Sequence, residues 1–158
     1  MLILSLSAMV CACDPTQQNG EETTTGSLYG NWQLDTLTIE ASASVIGNGS
    51  LNTSVIDFTK TTPCYLVVTE ALATAKMGWD VEMATFVYDA TNRKIKFNEG
   101  LSVSDDGKAM VLVGSYDITE LTPARLVLRQ PDFNIDIPGL FSSHQTAIYS
   151  FHRTKDNN

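Results

Sequence analysis

Three cysteines, two histidines and ten basic residues among 158 leave this chain little of the equipment that catalysis, metal binding or disulfide stapling needs. Cys11 and Cys13 stand together at the start and Cys64 stands alone, so the body of the chain holds no pair for an internal disulfide. A lone Cys64 reads as a small buried apolar residue. No Cys/His set has zinc spacing, and His144 and His152 lack Glu or Cys companions at ligand distance in sequence. Asp132-x-Asn134-x-Asp136 starts like a calcium loop, but Ile137 replaces the required glycine and Ser143 replaces the acid at the twelfth position. There is no Gly-x-Ser-x-Gly elbow and no phosphate-cradling Gly-Lys-Ser/Thr loop. The sequence therefore predicts no catalytic set, no metal and no cofactor. Basic charge is scarce against 18 acids, and a net charge of -8 repels polyanions, which disfavours nucleic acid as a partner. Long apolar runs are missing too: the longest, 2–10, is about half of the roughly 20 residues a membrane-spanning helix requires.

That opening run leads into Val10-Cys11-Ala12-Cys13, followed by polar residues from Asp14 to Gly26. The arrangement resembles a bacterial lipoprotein signal, an export segment closed by a lipobox whose last cysteine is acylated. The resemblance implies that 1–12 is a signal peptide, that Cys13 is the lipid anchor, and that 13–27 is a flexible tether. Cys11 fits less well, because bulky Val10 precedes it where the peptidase takes a small residue. The implied address is extracytoplasmic, on a membrane of the cell envelope through the lipid alone, with the outer membrane favoured.

From Leu28 the pattern changes to short runs rich in Val, Ile, Leu, Thr, Phe and Tyr, punctuated by turn residues. Candidate strands are 32–39, 54–59, 65–70, 81–88, 94–97, 109–118, 125–129 and 146–153. Asp89-Ala90-Thr91-Asn92 and Asp105-Asp106-Gly107-Lys108 supply hairpin turns. The segment 41–51 is small and polar and reads as a long loop, while only 69–77 has helix-friendly composition. Residues 132–137 alternate apolar and polar between Pro131 and Pro138, as an edge strand or a lid would. About eight strands suit an all-β, antiparallel up-and-down barrel or a two-sheet sandwich, in one domain.

Gly30-Asn31-Trp32, preceded by Leu28-Tyr29, matches the Gly-x-Trp start of lipocalin and related calycin barrels. Looser likeness runs through Gly114-Ser115-Tyr116-Asp117-Ile118, Leu121-Thr122-Pro123 and Arg125-Leu126-Val127-Leu128. The chain is thus similar to bacterial lipocalin-like lipoproteins, without the Thr-Asp-Tyr motif and disulfide of animal lipocalins. The resemblance implies an eight-stranded barrel over 28–154, with Trp32 plugging one end and Arg153 packed across its ring. It also implies a small apolar ligand, with Phe86, Tyr88, Met110 and Tyr116 as candidate inward residues and Phe133, Ile135 and Ile137 as the inner side of a lid. Of the large side chains Trp79, Phe86, Tyr88, Met110 and Tyr116, core packing is the ordinary use. Asp35-Thr36-Leu37 resembles a short acceptor motif for O-glycosylation in some bacterial envelopes. Two functions fit: capture of an apolar molecule, or a filled barrel serving as an interaction module. An apolar cavity of roughly 300 Å³ or more would favour the first, and a packed interior with an exposed apolar edge the second.

Overall fold

Period-two burial marks β-strands in much of this chain, most plainly over 64–68, 73–77 and 94–121. The computed structural model describes residues 26–45, 48–131, 133–137 and 141–155, and there the regular structure is eleven antiparallel strands and no helix. The signal segment, Cys13 and the tether up to residue 25 lie outside the described residues. The strands are β1 (Gly30–Val45), β2 (Asn48–Asp57), β3 (Cys64–Val68), β4 (Ala73–Met77), β5 (Asp80–Ala84), β6 (Phe86–Asp89), β7 (Lys94–Asp105), β8 (Lys108–Leu121), β9 (Arg125–Arg129), β10 (Phe133–Ile137) and β11 (Phe141–Arg153). They form one sheet in the order β5-β4-β3-β1-β11-β9-β8-β7-β6, with β2 added to β1 and β10 added to β11.

Two long strands organise this path by changing partners along their length. The first residues of β1 pair with β3, whereas Thr36 onward pairs with β2. Likewise the end of β11 pairs with β9 and its beginning with β10. The sheet therefore has a body wrapped around the core and a four-stranded extension, β2-β1-β11-β10. The switch in β1 falls at Asp35, where one extra residue shifts the register against β11 between Leu34 and Thr36. Such a bulge reverses which face each later residue takes: Trp32 and Leu34 are buried before it, Leu37 after it. In β8, Gly114 adopts φ 78, opposite Phe97 where β7 carries extra residues.

An eight-stranded closed barrel was the expectation; the ladder found is an open sheet whose two ends are β5 and β6. These ends are consecutive in sequence, separated by Thr85, and the single strand expected over 81–88 is broken there. The reason is chemical. Beside β7, the Asp80 carboxylate accepts from the Ser104 amide at 2.9 Å and the Glu82 carboxylate from the Ser102 amide at 2.6 Å. From the other side, Glu99 accepts from the Thr85 amide at 2.9 Å. Side-chain oxygens take the places that strand carbonyls hold in a ladder along β5, and one backbone bond, from the Asn98 amide to the Thr85 carbonyl at 2.9 Å, closes the seam at the break.

Two further expectations are corrected. The loop expected over 41–51 is largely strand, since β1 runs to Val45 and β2 starts at Asn48. Its described Ala and Ser residues show no burial pattern, and the pairing of β1 with β11 and of β2 with β1 sets their conformation instead. The helix-friendly segment 69–77 becomes the strand β4, in which Ala73, Ala75 and Met77 are buried and Lys76 is exposed. Tertiary burial at period two outweighs a helix propensity of a few tenths of a kcal/mol per residue. The turn at 105–108 is as expected, with positive φ at Asp106 and Gly107 closing the β7–β8 hairpin.

Candidate functional site

At the end of the body where the described chain begins, Trp32 is 0% exposed, and its indole Nε1 donates to the Leu28 carbonyl at 2.8 Å. The Arg153 guanidinium lies over the ring, 4.1 Å from its centroid. Register explains the meeting, because Trp32 and Arg153 are direct partners across β1 and β11. Arg153 Nη1 donates to the Tyr29 carbonyl at 3.0 Å and Nη2 to that of Ser27, so one guanidinium ties down the incoming chain. Gly30 is required twice over. Its φ is 141, and a Cβ there would collide with Arg153 Nη1. Gly30, Trp32 and Arg153 therefore act as one structural unit that seals this end of the core.

Among the described residues, two of the side chains expected to line a ligand cavity are packed into the core. Met110 is 0% exposed and Tyr116 1%, both within a continuous cluster that includes Phe58, Phe97, Leu112, Tyr149 and Phe151. Tyr116 stands edge-on between Phe97 and Tyr149, each ring pair 5.9 Å apart. Both phenols converge on the backbone beside Gly114. Tyr149 donates to the Val111 carbonyl at 2.5 Å, and the Val113 amide donates to the Tyr116 oxygen at 3.0 Å. Phe86 and Tyr88 are partly buried against the same cluster, with Val87 between them facing out. Thus Phe86, Tyr88, Met110 and Tyr116 share the inward face, and Met110 and Tyr116 serve as packing. The backbone of Phe133 and Ile135 runs in β10 as an edge strand against β11, while their side chains lie outside the described residues. Two surface depressions, of about 500 and 470 Å³, share Thr154 and Lys155; the first includes Gly30 and Arg153 and the second Tyr65 and Lys76.

Cys64 is buried, with Sγ 3.8 Å from the Met110 sulfur. Burial pushes its thiol up to about 12 and raises Tyr116 and Tyr149 as well. A thiol so placed stays protonated and is no nucleophile. It also makes stability depend on pH. Below about 9 both folded and unfolded forms keep the proton; between about 9 and 12 only the folded form does, so stability falls as pH rises. Each pH unit in that window should remove about 1.4 kcal/mol through Cys64. Urea midpoints at pH 8 and pH 10.5 should therefore diverge in the parent chain and diverge less in Cys64→Ala. Equal divergence in both would show that Cys64 is not the source.

Asp35 and His152 meet at the β1 bulge, with Oδ1 2.6 Å from Nδ1. Thr36, the possible acceptor hydroxyl, sits mid-sheet between Ser150 and Asp57. Among the described residues no group of three His, Cys, Asp or Glu side chains could hold a metal ion. The calcium-like 132–136 segment falls outside that search, because Asp132 and the side chains of Asn134 and Asp136 are not among them.

What sequence reasoning missed is on the outside. Trp79, expected in the core, is 103% exposed in the two-residue turn between Met77 and Asp80, where Gly78 takes φ 58. Next to it Val81 and Met83 of β5 are exposed, as are Val111 and Val113 of β8. The β7 positions between them are small: Ser102 contacts Glu82 and is the partner of Val111, and Gly100 lies under Val113. Exposed apolar side chains therefore stand on β5 and β8 on the solvent side, with the small β7 positions Gly100 and Ser102 between them. The alternation of Val81 and Met83 with Asp80, Glu82 and Ala84 was the available signal. No family model, curated protein or solved structure matches this chain.

Proposed function

We propose that this chain is a lipid-anchored protein of the bacterial cell envelope whose β-domain has a filled interior and acts through its outer surface, as a module that contacts another envelope protein. The observation that carries this reading is the contrast between inside and outside. Met110 and Tyr116 are consumed by packing, whereas Trp79, Val81, Met83, Val111 and Val113 stand in solvent. Large apolar side chains exposed on one face, here on either side of the β7 serines, are what protein contacts use. The reading assigns the chain no catalytic role and no cofactor.

The finer fold belongs to the same proposal. Counting β5 and β6 as one strand broken at Thr85, and setting aside β2 and β10, leaves eight strands in meander order. With Arg153 across Trp32 at one end, that count supports a lipocalin-like barrel carrying a side-chain seam. The same constellation favours a second reading, a small apolar ligand held at the opposite end beneath β10. Titration of the purified protein with an apolar fluorescent probe separates the two. A filled module gives no saturable binding, whereas micromolar binding that is lost in Phe133→Asp or Ile135→Asp would establish the ligand.

The address rests on Val10-Cys11-Ala12-Cys13. Cys13→Ala should shift the protein from membrane to soluble fractions. An unmodified Met1 or Leu2 terminus on the intact mass of the native protein would contradict acylation.

A further inference from the structure

We propose that the free edge of β2 pairs with β2 of a second copy, joining two chains through a continuous antiparallel sheet about a twofold axis at Thr53. This goes beyond the outer-face reading and rests on a different part of the molecule. Among the described residues β2 pairs only with β1, in unbroken register from Thr36–Asp57 to Val45–Asn48. The Phe58 amide bonds to the Asp35 carbonyl at 2.8 Å, which fixes the alternation along the ladder. Even-numbered residues of β2 direct their N–H and C=O groups to β1; those of Leu51, Thr53 and Val55 point away from it. Residues 49–55 are all exposed, Leu51 to 72% and Val55 to 60%.

Edges like this are normally guarded by charge, proline or a bulge. The others in this sheet are. Asp80 and Glu82 of β5 occupy the neighbouring amides of β7, and β10 carries Asp136 and is flanked by Pro131 and Pro138. From Asn48 to Ile56, β2 has no charged residue, no proline and no register shift. That bareness selects the occupant. A chain of charge -8 repels its own copy, and an uncharged strand is where two copies approach at least cost. A partner of opposite charge would gain from acids on this edge, and there are none. The sequence is also self-complementary. An axis at Thr53 sets Leu51 opposite Val55 of the second copy, and Val55 opposite Leu51, on one face, with every pair drawn from residues whose backbone groups are free.

The test uses the full chain with Cys11→Ala and Cys13→Ala, so that no lipid and no other exposed thiol intervene. Analytical ultracentrifugation should give a concentration-dependent dimer. Thr53→Pro removes an edge donor without touching the β1 ladder, and should weaken the dimer by about tenfold or more at unchanged melting temperature. If that variant fails to fold, Thr53→Lys sets lysine against lysine at the axis and should weaken it comparably. Thr53→Cys should give a disulfide dimer on oxidation, since directly opposed residues are about 5.5 Å apart at Cα, whereas Leu51→Cys should not. A monomer at all concentrations, a dimer indifferent to both Thr53 variants, crosslinking through Leu51→Cys instead, or an edge occupied only by a different protein would each overturn the proposal.

Discussion

Trp32→Ala should lower unfolding stability by about 3–5 kcal/mol, the range for removing a large aromatic from a packed core. Trp32 is among the largest fully buried side chains, and more than its volume would be lost. Its indole bond to the Leu28 carbonyl goes, Leu28 loses a neighbour, and the Arg153 guanidinium faces a cavity in place of a ring. For a domain of this size that is a large share of a total of about 5–15 kcal/mol. Urea denaturation followed by tyrosine fluorescence or circular dichroism measures it. Arg153→Lys separates packing from recognition. It keeps the charge, but an ammonium cannot match the planar fork that lies over the ring and reaches both the Ser27 and Tyr29 carbonyls. A cost of about 1–2 kcal/mol is expected, in the range of a partly desolvated cation–π contact. A Trp32→Ala chain as stable as its parent would mean that the sealed end contributes nothing to the fold.

The second large effect concerns the seam. Asp80→Ala combined with Glu82→Ala removes the two carboxylates that hold β5 against β7. Hydrogen bonds to charged groups contribute roughly 1.5–3 kcal/mol each. Water reaches this face, so the lower end applies, giving about 3 kcal/mol for the pair. Amide hydrogen exchange gives the sharper readout. Ser102 and Ser104 should exchange faster in the double variant, while residues of the β1–β11 ladder should slow or quicken only with global stability. Unchanged exchange at Ser102 and Ser104 would show that backbone pairing, not carboxylates, protects this seam.

How much of this was legible in the sequence depended on whether the cause was local. Gly30 and Trp32 are two residues apart in one motif, and Arg153 meets them because terminal strands of a meander pair antiparallel; both facts can be read from a string. Turn residues such as Asp106-Gly107 were equally plain, since few residues accept positive φ. The inward face of Met110 and Tyr116 was not, because either parity of β8 presents apolar residues: Val111 and Val113 lie outside, Met110 and Leu112 inside. Nor was the break at Thr85, since Asp80, Glu82 and Glu99 act on amides far away in sequence. The strands over 41–51 were hidden for the same reason. Their small residues have no preference of their own, and β11 and β1 supply the pairing.

The most direct test of a filled domain acting through its outer face is crosslinking in the native host. A photoreactive side chain is placed at Met83, an exposed apolar position of β5, and adducts are identified by mass spectrometry. The account predicts a discrete protein adduct that disappears when Val111→Asp is added, together with no small molecule in stoichiometric amount in the purified protein. A stoichiometric apolar molecule, with no protein adduct at Met83, would contradict it.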